Sequence, residues 1–111
     1  MTTTSATLRS TRDGLGSRHL WATLRADGTL IIEGQDLGPG VGGAWGSGLS
    51  EYEWTETIQS EDVAKLAAAL GSGDDVLAAL AKRYSDDPAF ILKRFLDEHG
   101  IPYHFWSHVG G

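Results

Sequence analysis

The apolar residues of this chain change their spacing once, near Gln59, and that change limits the fold more than any other feature. From His19 to Ile58 three short segments, HLWATLR, TLIIEG and SEYEWTETI, read as strands, whose alternate side chains point to opposite faces. From Ser60 to Leu96 apolar residues recur at intervals of three and four, which is one face of a helix. A front half of strands and a back half of helices predicts an α+β domain: an antiparallel sheet of three or four strands packed against C-terminal helices. The 111 residues suffice for one such core and are too few for two.

Within the front half, HLWATLR and TLIIEG flank Asp27 and Gly28. Asp-Gly suits a two-residue type I′ turn, whose central positions both need positive φ. That turn sets Leu24 opposite Ile31, with Leu20, Ala22, Leu24 and Ile31 on one face and Trp21, Thr23, Leu30 and Ile32 on the other. A third strand is expected from Ser50 to Ile58. It places Tyr52, Trp54, Glu56 and Ile58 on one side and Glu51, Glu53, Thr55 and Thr57 on a wetter one. Residues 34–48 between these strands hold seven glycines and Pro39, and so read as a loop, with Trp45 as its apolar pin or as a clamp on a ligand.

In the back half, Ser60 is placed to cap a helix carrying Val63, Leu66, Ala67 and Leu70 in a stripe and stopping at Gly71. A second helix is expected over Asp75 to Tyr84. A third opens at Asp87-Pro88, runs through Leu92, Phe95 and Leu96, and ends near Gly100. The following IPYHFW suits a strand at the sheet edge, where Pro102 is tolerated. Residues 1–17, rich in Ser and Thr, read as a flexible tail, which leaves 18–111 as the single domain.

Charge is unevenly distributed. The formal net charge is −6, yet residues 1–18 carry a net of +2 through Arg9, Arg12, Arg18 and Asp13, and the remainder carries −8. An acidic body repels phosphates and anionic lipid, which argues against nucleic acid or a membrane surface as partner and favours a basic protein. The first 21 residues hold no apolar stretch of signal-peptide length, and nowhere do about twenty apolar residues run together. With no cysteine there is no disulfide, thiolate metal site or cysteine nucleophile, and a cytoplasmic setting is the expectation.

Familiar chemical motifs fall away on inspection. Gly38, Gly40 and Gly43 satisfy G-x-G-x-x-G, but no helix follows to receive a pyrophosphate. His99, His104 and His108 lack the spacing that converges ligands on a metal. No G-x-S-x-G elbow accompanies Ser47, Ser50 or Ser60. Glu51 and Glu53 share a strand face, which suits paired carboxylates if a pocket splits their pKa values. No catalytic, cofactor or metal residue is therefore assigned, and binding is favoured over catalysis. The leading expectation is an interaction or inhibitor-like module with an aromatic patch of Trp21, Tyr52, Trp54 and Trp106 and a charged rim of Glu33, Asp36, Glu51 and Glu53. The alternative is a small-ligand protein or minor enzyme with a pocket at the glycine-rich loop, Trp45 as lid and Asp36, Glu51 or His104 as polar groups.

Through HLWATLRADGTLIIEGQDLG, EYEWTETI and GIPYHFWSHVG the chain resembles a group of small proteins of GC-rich actinobacteria that carry no known catalytic motif. The resemblance implies an intact bacterial domain and transfers no functional residue. In size and acidity the chain is also similar to immunity proteins that neutralise basic toxins.

Overall fold

A computed structural model describes residues 3–14, 16–38, 51–71, 75–84 and 89–110. Five strands, β1 (Thr4–Asp13), β2 (Gly16–Leu24), β3 (Leu30–Leu37), β4 (Glu51–Ile58) and β5 (His104–Gly110), form one antiparallel sheet in the order β1-β2-β3-β4-β5. Three helices, α1 (Ser60–Leu70), α2 (Val76–Tyr84) and α3 (Ala89–Glu98), lie between β4 and β5 in sequence and cover one side of the sheet. The α+β architecture expected from the change of period is the observed one, with more strands than the sequence suggested.

The additional strand is the segment read as a tail. Residues 4–13 pair with β2 along their length, from Thr4 opposite Leu24 to Asp13 opposite Gly16. Leu8 is 1 % exposed, so this strand contributes a core side chain as well as a ladder of main-chain hydrogen bonds. Ser and Thr do not mark disorder here, because β-branched Thr suits an extended edge and exposed hydroxyls keep it soluble.

The first sequence-predicted hairpin exists, but its turn is one residue longer. Arg25 N donates to Thr29 O at 2.8 Å and Gly28 N to Arg25 O at 2.9 Å, which encloses Ala26, Asp27 and Gly28. Only Gly28 has positive φ, at 91°, while Asp27 accepts a hydrogen bond from Thr29 N at 2.9 Å. This is a three-residue loop with its glycine in the left-handed position, instead of type I′. Leu24 therefore faces Leu30, Ala22 faces Ile32 and Leu20 faces Gly34. That one-residue slip moves Leu30 and Ile32 to the covered face and Ile31 to the open one.

The covered face carries Leu20, Ala22, Leu30, Ile32 and Ile58, all buried against Leu66, Leu80, Leu92, Phe95 and Leu96 of the helices. Burial of each large side chain stabilises by about 1.5 to 3 kcal/mol. Gln59 occupies the N-cap of α1 and makes no side-chain cap, so Ser60 is the first helical residue; Gly71 closes the helix in the left-handed conformation. Asp75 caps α2, its Oδ1 accepting from Ala78 N at 3.0 Å. The expected Asp87-Pro88 start of α3 lies outside the described residues. After Gly100, at φ 63°, Ile101 enters the core at 3 % exposed and the chain returns as β5 on the edge beside β4.

Candidate functional site

The helices leave part of the covered face open, and there a pocket of about 380 Å³ lies between the sheet and α3. Every strand contributes to it: Arg9 from β1, Arg18 and Leu20 from β2, Asp36 from β3, Tyr52, Trp54 and Glu56 from β4, and Phe105 from β5. Lys93 of α3 closes one wall. The volume falls in the range of small-molecule sites, about 300 to 1,000 Å³.

Two local devices shape the cavity. Between Thr7 and Arg9 the β1–β2 register shifts by one residue, so Thr7 pairs with Trp21 and Arg9 with Leu20. Leu8 is the extra residue, and the bulge brings Arg9 onto the same side of the sheet as the core-facing Leu20. Without it, strict alternation would send Leu8 and Arg9 to opposite faces. The second device is Gly34, opposite Trp54 in the β3–β4 ladder. A Cβ at Gly34 would fall 1.9 Å from the indole, so only glycine lets that ring lie flat over the β3 main chain. Tyr52 stacks on the same ring, centroids 5.3 Å apart, which extends the aromatic floor.

Electrostatically the pocket is the reverse of the protein around it. Three cations, Arg9, Arg18 and Lys93, meet two carboxyls, Asp36 and Glu56, in a chain whose net charge is −6. Glu56 is 1 % exposed, and among the described residues its Oε2 has no hydrogen-bond partner. Burial pushes its carboxyl up to about 7, against the opposing attraction of Lys93, with Asp97 adding a smaller upward push. Asp36 is also raised by burial, and Arg18, Arg9 and His19 offset part of that rise. A carboxyl with one oxygen unsatisfied in a cavity is ready to receive a polar group from a ligand.

The sequence-derived candidates divide between the two sides of the sheet. Asp36, Tyr52 and Trp54 line the pocket. The sheet pairing places Trp21, Glu33, Glu51, Glu53, His104 and Trp106 on the opposite face, where Trp21, Glu33, Thr55 and Trp106 form one row across four strands. Tyr52 and Trp54 therefore do not join Trp21 and Trp106 in a single aromatic patch, and Asp36 does not belong to the acidic rim. On the open face Glu51 is raised and Glu53 lowered, chiefly by the hydrogen bond between their carboxyls, and Gln35 Nε2 donates to Glu53 at 3.3 Å. Trp106 is 48 % exposed and stacks on His108.

Trp45 and most of the glycine-rich loop lie outside the described residues. The pocket-lining polar and aromatic residues that the sequence did not single out as site candidates are Arg9, Arg18, His19, Glu56, Lys93 and Phe105. For Glu56 a signal was present: alternation in EYEWTETI already put it beside Tyr52, Trp54 and Ile58, an acid on an otherwise apolar side.

Among the described residues no group of three or more His, Asp or Glu side chains is placed to hold a metal ion, and no helix is long and apolar enough to cross a membrane. No family model, no curated protein and no solved structure matches the chain.

Proposed function

We propose that this protein binds a small molecule in the pocket between the sheet and α3. The observation that carries the reading is Glu56, a buried carboxyl with an unpartnered oxygen in the wall of a cavity whose floor is aromatic. A polar group left unsatisfied in a core costs stability, about 1 to 3 kcal/mol, and a bound ligand would offset that cost. Convergence of polar groups from four strands and α3 on one cavity is also the arrangement expected of a ligand site. The test is a fragment screen followed by amide NMR. Hits that shift the Leu20, Trp54, Glu56 and Phe105 amides together support the reading; a screen whose hits all fall on the open face, or that yields none, rejects it.

A second reading keeps the open face as a docking surface for a basic protein partner. It is favoured by Trp106, large and half-exposed, in one row with Trp21 and Glu33 and near Glu51 and Glu53. Reversing Glu51 and Glu53 to Lys should slow association with such a partner at low salt, and the effect should shrink as salt rises.

A further inference from the structure

The two edges of the sheet are built differently. β1 carries Arg9, Arg12 and Asp13 and bends at the Leu8 bulge, and charge and bulges are what keep an edge strand from pairing with another chain. β5, HFWSHVG, has neither device. It pairs with β4 without a register shift, from His104 opposite Thr57 to Gly110 opposite Glu51, and contains no Asp, Glu, Lys, Arg or Pro. Among the described residues no strand lies beyond it. Part of its main-chain N–H and C=O groups is therefore turned outward, and Phe105 and Trp106, 38 % and 48 % exposed, flank them on the two sides of the sheet.

An occupant of this edge has to be an extended strand, and a second copy of β5 meets the requirement. Antiparallel pairing about Ser107, the middle residue, engages all seven residues. Phe105 then stands opposite Val109 of the second copy on the helix side. On the open side Trp106 stands opposite His108, the two ring types that already stack within β5. The edge is also where two chains of net charge −6 approach at least cost. The carboxylates of the sheet begin one strand in, with Glu51 and Glu53 of β4, so those of the two copies stand three strand spacings apart, about 14 Å. That exceeds the screening length of about 8 Å at physiological salt. Lys93, whose ammonium lies over the Phe105 ring, stands about two residues off the axis, which puts its own copy about four residues along, also about 14 Å.

We propose that two copies of this chain join through their β5 strands, antiparallel about a two-fold axis at Ser107, so that their two five-stranded sheets become one. The axis runs perpendicular to the sheet, and both helical layers lie on one side of it and both open faces on the other.

A single strand pair is a small contact, so the dissociation constant should fall between about 10 µM and about 1 mM, a span that sedimentation equilibrium of the full chain covers. Ser107→Lys sets two ammonium groups opposite each other at the axis and should raise the constant about tenfold or more. Thr7→Lys, at an exposed position of the other edge, should leave it unchanged. Because the chain has no cysteine, Ser107→Cys gives a second measurement that needs no loss of association. Across the axis the two Cα atoms would be about 4.5 to 5.5 Å apart, within disulfide reach, so mild oxidation should yield a covalent dimer much faster than with Thr7→Cys. A parent that stays monomeric at about 1 mM overturns the proposal. So does a parent dimer that Ser107→Cys traps no faster than Thr7→Cys, because that association uses another surface.

Discussion

On the helix side of the sheet Leu20, Ala22, Leu30, Ile32 and Ile58 are at most 2 % exposed, and one position along each strand, on the other side, stand Trp21, Thr23, Ile31 and Thr57, all partly exposed. The same strands thus supply a dry face and an open one. What separates them is not hydrophobicity, since Ile31 and Ile32 are the same residue type and Trp21 is as apolar as Leu20. The assignment of face is made by the hairpin, because the three-residue loop at Ala26 to Gly28 sets the register and a slip of one residue would exchange the two sides.

The sharpest way to break that comparison is to shorten the two isoleucines in turn. Ile32→Ala removes a fully buried side chain and should cost about 3 to 4 kcal/mol, whereas Ile31→Ala, on the open side, should cost less than about 1 kcal/mol. Urea denaturation of both variants measures the difference. Equal losses would show that both faces are covered in solution, and a reversed order would restore the register that a two-residue turn predicts.

This pair also marks where the sequence stopped being legible. Period alone located β2, β3 and β4 and the three helices, because alternation and helical spacing record burial directly. Alternation could not choose between the faces of β2 and β3, since both carry apolar residues. Nor could composition recognise β1: TSATLRSTRD has one large apolar side chain, Leu8, and is held chiefly by main-chain pairing that any sequence can make. The pocket was obscured for the same reason. Arg9 and Arg18 were visible as a basic cluster at the start of an acidic chain, but their meeting place depends on a bulge at Leu8 and on a sheet edge that no local pattern announces. Tyr52, Trp54 and Glu56, by contrast, could be grouped on one side of a strand from their spacing alone.

A smaller effect, and one confined to the covered face, concerns acidity. The Glu56 carboxyl is raised from 4.5 to about 7 in the folded protein, so between those values the native state holds a proton that the unfolded chain has released. Stability should therefore fall as pH rises through about 4.5 to 7, with no penalty from this group below that window and the full penalty above it. The shift corresponds to roughly 3 kcal/mol. Burial supplies the rise; Lys93 of α3 opposes it and Asp97 adds to it. Comparing the parent with Glu56→Leu at several pH values isolates the contribution: the variant should gain on the parent as pH rises toward 8. Parallel curves would mean that Glu56 is hydrated or paired in solution, which would remove the unsatisfied oxygen on which the ligand site rests.

The smallest effect belongs to the open face, where Trp106 is 48 % exposed on the edge strand and its ring contacts His108, itself exposed. Trp106→Ser leaves no cavity and unpairs no buried group, so it should change stability by less than about 0.5 kcal/mol while Ile32→Ala unfolds much of the margin. A Trp of this size is nevertheless a large apolar surface to leave in water, and a contact with another molecule would conceal it. If the surface is covered by a second copy of the chain, the parent's midpoint of unfolding should rise with protein concentration and the Trp106→Ser midpoint should not, because association stabilises only the state that makes it. Midpoints independent of concentration in both proteins would keep the open face unoccupied between copies and leave Trp106 available to a different partner.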